Sequence, residues 1–154
     1  MKNERYMRQI LLEQDFGFSQ EKLTAATVFI AGAGGLGSPA AYYLAAAGIG
    51  KLIICDSDTV DLTNLNRQIL HSTSLIGVEK SKSAEMRLAD LNPDITIKGV
   101  RARIEGDPSG LIDGADLIID CLDNIETRYV LNEYSIKTGT PIIHGGINGY
   151  AGQI

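Results

Sequence analysis

Cysteine is scarce in this chain. Cys55 and Cys121 are its only thiols; each ends a short apolar run, and neither belongs to a Cys-x-x-Cys pair. That excludes a zinc site built on paired thiolates and a disulfide framework, and leaves two buried thiols in a reducing compartment as the expectation. Long apolar runs are also missing. No stretch of eighteen apolar residues occurs, and Met1-Lys2-Asn3-Glu4-Arg5 leads into a charged segment rather than the apolar stretch of a signal peptide, so the expected location is cytoplasmic, with no membrane partner. A basic excess is lacking too: 14 Lys and Arg stand against 19 Asp and Glu, for a net charge of -5, which leaves no electrostatic footprint for nucleic acid. The two histidines, His71 and His144, have no sequence-evident carboxylate or nucleophile partner to suggest an acid/base pair. Internal repeats, low-complexity tracts and linkers are absent.

What is present fits one soluble globular domain, with 44% hydrophobic and 21% charged residues over 154 positions. Short apolar runs recur at 27–31, 51–55, 95–100, 117–121 and 141–144, most of them bounded by Gly, Asp or Asn, as buried parallel strands are. Helix signals lie between them. The segment 36–47 carries Pro39 in its first turn and Gly48 beyond its end; 80–91 stops before Asn92-Pro93; 125–138 follows Asn124 as N-cap and ends at Gly139. Alternating strand and helix imply an α/β fold of three layers, α/β/α and Rossmann-like, around a mainly parallel sheet. We expect a helical arm over 1–25 and the core over 27–154. Ligands of such sheets bind at the carboxyl ends of the strands.

The strand-end segments carry the candidate chemistry. Gly32-Ala33-Gly34-Gly35-Leu36-Gly37 joins the first apolar run to a helix, and Asp56 closes the next run nineteen positions after Gly37. The glycines Gly32, Gly34, Gly35 and Gly37 permit a tight turn and close approach of backbone N–H groups to phosphate, while Asp56 is placed to hold ribose hydroxyls. A bland reading, a glycine turn that only packs helix on sheet, leaves Asp56 without a purpose. The pattern alone suggests NAD. Arg67 and Lys80, on the segments that follow Asp56, supply cations that a diphosphate bridge does not need and a triphosphate losing pyrophosphate does. Asp123, after the run Leu117-Ile118-Ile119-Asp120-Cys121, is a carboxylate suited to Mg²⁺ on phosphates or, alternatively, to capping the next helix; Asp120 reads as structural. Tyr42, Tyr43, Tyr129 and Tyr134 read as partly buried packing residues.

Taken together, the glycine loop, Asp56-x-Asp58, Asn64-x-x-Arg67-Gln68, Lys80 and Cys121-Leu122-Asp123-Asn124 resemble the adenylyltransferases that activate ubiquitin-like sulfur carriers, the bacterial relatives of ubiquitin-activating enzymes. The likeness runs from about Arg5 to Ile154. It implies that the carrier's C-terminal Gly-Gly carboxylate attacks the α-phosphate of ATP, giving an acyl-adenylate and pyrophosphate, in thiamine- or molybdopterin-type sulfur transfer. It further implies that the glycine loop cradles phosphate, Asp56 holds the ribose with Asp58, Gln68 and Asn124 lining the nucleotide site, Asn64, Arg67 and Lys80 contact phosphates, and Asp123 holds Mg²⁺. Arg5-Tyr6-Met7-Arg8-Gln9 also matches the family, in which the second arginine reaches the partner subunit's site; the resemblance therefore implies a homodimer with Arg8 acting in trans.

Family members generally continue beyond a point equivalent to Ile154, adding carrier-binding strands and often two Cys-x-x-Cys zinc pairs, so the chain is expected to be the N-terminal portion of a longer enzyme, with zinc confined to the part that follows. Gly152-Gln153-Ile154 reads as the start of another strand. Other readings are adenylation of a carboxylate on a modified tRNA or a peptide, an NAD-dependent oxidoreductase, and a silent nucleotide-binding module.

Overall fold

The computed structural model describes residues 2–12, 19–112 and 114–154; the part of the expected arm at 13–18 lies outside them. Five strands, Thr27–Ala31 (β1), Lys51–Cys55 (β2), Thr96–Val100 (β3), Leu117–Asp120 (β4) and Ile142–His144 (β5), form a parallel sheet in the order β3-β2-β1-β4-β5. The chain builds outward from β1 through β2 to β3, then returns to the other side of β1 for β4. A crevice therefore opens where the carboxyl ends of β1 and β4 diverge.

Helices Lys2–Arg5 (α1), Met7–Ile10 (α2), Gln20–Ala25 (α3), Gly37–Ala47 (α4), Lys80–Leu91 (α5), Ser109–Ile112 (α6) and Ile125–Thr138 (α7) surround the sheet, and a short antiparallel pair, Gly146–Asn148 (β6) and Ala151–Gln153 (β7), follows β5. Alternation along the central strands sorts side chains to two cores. Val28, Ile30, Leu52 and Ile54 meet Ala41, Ala45, Ala84 and Leu88 of α4 and α5 on one face. Phe29, Ala31, Ile53, Cys55 and Ile118 meet Ile112 and Leu131 of α6 and α7 on the other. Burial on both faces is why these strands read as unbroken apolar runs, and each fully buried Phe, Ile or Leu contributes about 1.5–3 kcal/mol. The edge strand β3, Thr-Ile-Lys-Gly-Val, is half covered and more polar.

The N-terminal arm is tied to the ends of α4 and α5. Gly48 terminates α4 at φ 84°, and a side chain there would strike the Tyr6 ring, whose Cζ lies 2.5 Å from the position of an added Cβ. Asn92, fully buried at the end of α5, donates from Nδ2 to the Tyr6 hydroxyl (2.8 Å) and to the Ala45 carbonyl (2.7 Å), and its Oδ1 accepts from Asp94 N–H (3.2 Å). Removing this amide strands two acceptors in the interior. Asn92→Ala is expected to cost about 2–3 kcal/mol, checked as a shift in the urea midpoint with an unchanged slope.

The elements agree with the expected segments to within one residue at each end, because the glycines and asparagines at their limits are also where the backbone hydrogen bonds stop. The N-cap at Asn124 is made: its side chain accepts from Thr127 N–H at 2.9 Å. The start of a strand expected at 152–154 proves to be β7, whose partner β6 and the short helix α6 carry too little periodicity to be read. Two tyrosines are corrected. Tyr43 and Tyr129 are 78% and 65% exposed, on the solvent faces of their helices, whereas Tyr42 and Tyr134 pack against the cores as expected.

Candidate functional site

At the carboxyl ends of β1, β2 and β4 lies an open cleft of about 1490 Å³, walled on its far side by β6 and β7. The glycine loop forms its floor. Gly32 adopts φ 95° and donates to the Cys55 carbonyl at 2.8 Å, carrying the chain over from β1. Gly37 packs the start of α4 so tightly that an added Cβ would lie 1.9 Å from the Gly32 carbonyl oxygen. Gly34 and Gly35 differ: added Cβ atoms there would meet nothing nearer than 3.7 Å, and neither has a positive φ. Protein packing and backbone conformation thus account for the first and last glycines but not for the middle two, which line the cleft. The N-cap Leu36 offers no side-chain acceptor to the N–H groups of α4, so the loop and helix start present donors and a positive dipole end to the cleft.

Asp56, at the end of β2, accepts from Ala33 N–H through Oδ2 and from Asp58 N–H through Oδ1, both at 2.8 Å. The carboxylate therefore pins the glycine loop, a task the sequence does not reveal, and each oxygen keeps a second lone pair for a ligand hydroxyl. Lys80 opens α5 with its side chain 7% exposed, its Nζ held 3.0 Å from Asp58 Oδ2. Asp58 itself is largely exposed, so the pair is a buried cation leashed by a wet carboxylate. Arg67 is exposed and donates to the Thr63 carbonyl and Asn66 Oδ1, each at 3.1 Å; among the described residues it has no carboxylate partner. Gln68 is 5% exposed and lines the cleft beside Gly34, and its buried Oε1 has no hydrogen-bond partner among the described residues. Asp123 is exposed at the end of β4, likewise without a protein partner among them.

The cleft thus brings together Gly32, Gly34, Gly35, Asp56, Asp58, Arg67, Gln68, Lys80, Asp123 and Asn124. Three expected residues lie off its walls. Gly37 acts behind the loop by close packing; Asn64 accepts at its carbonyl from Arg67 and Gln68 N–H (3.1 and 2.9 Å) and so shapes the turn that carries them; Arg8 is exposed on α2, away from its own chain's cleft. Among the described residues no group of three His, Cys, Asp or Glu side chains forms a cage for a metal ion.

A cluster at the edge of the cleft, with Arg128 on its wall and Asp120 and His144 behind, is not legible in the sequence. Asp120, 1% exposed, accepts from Leu122 N–H at 3.0 Å and from His144 Nδ1 at 2.7 Å, while Arg128 on α7 reaches His144 and the carbonyls of Leu122 and Gly145. His144 therefore has the carboxylate partner that its sequence neighbourhood lacks, and Arg128 closes the junction between β4, β5 and β6. The one signal available was that Arg128 sits in the first turn of a helix opening at a strand end. Cys121 both packs against the core and lines the cleft, and burial, reinforced by the Asp120 charge, pushes its thiol up to about 11. It is no nucleophile at neutral pH. Burial raises Cys55 to about 11 as well.

The ThiF family profile matches residues 6–154. Among known proteins, the chain is 43% identical over 151 residues to the sulfur carrier protein ThiS adenylyltransferase of Escherichia coli, covering 97% of this chain and 60% of that protein. It is 45% identical over 152 residues to the molybdopterin-synthase adenylyltransferase of Salmonella typhimurium, covering 97% and 61%. The chain thus spans about three-fifths of the length of these relatives. Among solved structures, E. coli MccB with ATP superposes with a TM-score of 0.82 at 32% identity, over 92% of this chain and 45% of MccB. E. coli tRNA N6-threonylcarbamoyladenosine dehydratase TcdA does so with a TM-score of 0.86 at 27% identity, over 97% and 63%. With a family match over residues 6–154, nearly its whole length, the chain belongs to the ThiF family.

Proposed function

We propose that this chain forms the ATP site of an adenylyltransferase that activates the C-terminal Gly-Gly carboxylate of a ubiquitin-like sulfur carrier. The observation that carries the reading is a carboxylate without a protein partner among the described residues, Asp123, facing the same cleft as two cations and a glycine loop whose middle glycines no packing demands. A dinucleotide held by backbone amides and a ribose-binding carboxylate has no use for that set. A triphosphate has.

In this reading the N–H groups of residues 34–36 and the start of α4 bind phosphate oxygens, and the free lone pairs of Asp56 accept from the ribose hydroxyls. Lys80 and Arg67 neutralise the charge that builds on the α-phosphate and the departing pyrophosphate. With no protein cage among the described residues, Asp123 would hold Mg²⁺ jointly with phosphate oxygens and water, and the ion would add further positive charge at the site of bond breaking. The residues fit such an ion: one or two carboxylates beside substrate phosphates are how Mg²⁺ is usually held, and Asp123 stands at the end of β4 in the cleft that the glycine loop floors. A carrier carboxylate, with a pKa of about 3.5, is ionised at neutral pH and needs no general base. Its oxygen bonds to the α-phosphorus as the bond to the bridging oxygen breaks, and pyrophosphate leaves. His144, which lies beside the cleft and not on its walls, is engaged by Asp120, in keeping with this economy.

Arg8, exposed and off its own cleft, fits a role across a homodimer, and the half-buried and buried thiols of high pKa suit a cytoplasmic setting. No helix among the described residues is long and apolar enough to cross a membrane. MccB and TcdA define a second reading in which the carboxylate belongs to a peptide or a tRNA; the acidic net charge of -5 does not favour the latter. Titrating the chain with ATP, with and without Mg²⁺, and with NADH, then measuring carrier-dependent exchange of pyrophosphate into ATP by the longer protein, separates these readings. We expect saturable ATP binding strengthened by Mg²⁺ and exchange only with a Gly-Gly terminus. Preference for NADH, or exchange driven by a peptide or tRNA alone, would overturn the proposal.

A further inference from the structure

We propose that His71 is a positioning residue for the phosphate-binding loop, a strut that fixes the loop relative to the helix bearing Lys80; the inference rests on the ATP reading above. The ring is 6% exposed and bonded at both nitrogens, Nε2 to the Ala33 carbonyl at 2.9 Å and Nδ1 to Ser83 Oγ at 2.8 Å. A carbonyl only accepts, so Nε2 carries the proton, and in the neutral ring Nδ1 accepts from the Ser83 hydroxyl. Burial holds the imidazole below its usual pKa, and the facing Lys80 cation works in the same direction against the Asp56 carboxylate. Geometry and charge thus select one neutral tautomer.

The bond it makes falls on a sensitive peptide. Ala33 is held at its N–H by Asp56 (2.8 Å) and at its carbonyl by His71. Gly34 and Gly35, which follow, have no side chains of their own, and open space beside them; the Gly34 carbonyl accepts from Ser38 N–H at 2.9 Å. Loose glycines would be ordered only on ligand binding, at an entropic cost. Ala33 N–H belongs to the peptide before it and its carbonyl to the peptide that ends at Gly34 N–H, so clamping both fixes the two peptide planes around Ala33 and orients the Gly34 amide in advance. Ser83 lies one turn after Lys80 on α5, is itself fully buried, and its backbone N–H bonds the Glu79 carbonyl at 2.9 Å. The strut therefore sets the separation between the loop's donors and the Lys80 ammonium, two parts of one phosphate site that belong to different elements.

The test uses the full chain with ATP and adenosine as probes, because adenosine has no phosphate for the loop to hold. In His71→Gln the amide nitrogen can reach the Ala33 carbonyl as Nε2 does; in His71→Asn it falls short. We expect His71→Asn to weaken ATP about tenfold with adenosine changed less than about twofold, and His71→Gln to restore most of the ATP affinity. Ser83→Ala, a substitution that α5 accommodates, should weaken ATP about threefold and leave adenosine unchanged, which decides the matter if His71→Asn does not fold. Wild-type ATP affinity in His71→Asn, or equal losses for ATP and adenosine in both histidine variants, overturns the strut. If the wild-type chain binds no ATP, the nucleotide reading falls and takes this inference with it; if it binds ATP and the variants match it, only the inference falls.

Discussion

In the longer protein Asp123→Ala is expected to abolish carrier-dependent pyrophosphate exchange, with a loss of about a hundredfold or more, the effect of a missing charge-stabilising group, while leaving thermal stability unchanged. The asymmetry follows from its surroundings. Asp123 is exposed and makes no hydrogen bond or ion pair among the described residues, and the helix behind it is capped by Asn124 instead. The fold therefore loses nothing with this carboxylate. Arg67→Ala is expected to behave similarly, since its guanidinium gives up only bonds to the Thr63 carbonyl and Asn66 Oδ1 at the surface. The two variants should differ in one respect. Mg²⁺ should strengthen ATP binding by Arg67→Ala and have no effect on Asp123→Ala, which isothermal titration with and without the ion measures directly. Near-normal exchange in both variants would remove the assignment.

Much of the site was legible because its parts are local. The β1 run, the glycine loop and the start of α4 are contiguous, and Asn64, Arg67 and Gln68 lie within five residues on one turn. Strand-end position alone placed Asp56, Asp58 and Asp123 in the cleft. The parts that stayed hidden are those that strand pairing assembles. Asp120 and His144 are 24 residues apart and meet because β4 and β5 pair in that register, with Asp120 opposite His144. Arg128 joins them from a helix. Likewise Asp56 reads as a ribose ligand, and its grip on Ala33 appears only when β1 and β2 lie side by side. Strand order belongs to the same class: alternation of strand and helix implies a parallel sheet, whereas the return of β4 to the far side of β1 is a property of packing. The orphaned Oε1 of Gln68 is hidden for another reason, since nothing in a glutamine's neighbours along the chain reports what its amide lacks.

The four glycines of the loop should divide sharply on substitution, and the division tests whether something outside the chain occupies the cleft. Gly37→Ala places a methyl 1.9 Å from the Gly32 carbonyl oxygen and 2.9 Å from its carbon, both backbone atoms that have no rotamer to yield. Relief requires α4 to draw away from β1, which opens the core around Ala41 and Ala45. We expect a loss of about 3 kcal/mol or more, seen as a fall in the melting temperature, with nucleotide binding lost as a consequence. Gly34→Ala meets only the Gln68 amide nitrogen at 3.7 Å, an ordinary contact, and needs no positive φ. Its melting temperature should hold or rise slightly, because alanine lowers the entropy of the unfolded chain. Its ATP affinity should nevertheless fall about tenfold, since the new methyl stands where phosphate must approach the backbone. A stable Gly34→Ala chain that binds ATP as tightly as wild type would mean that the space beside this glycine is not used by the nucleotide.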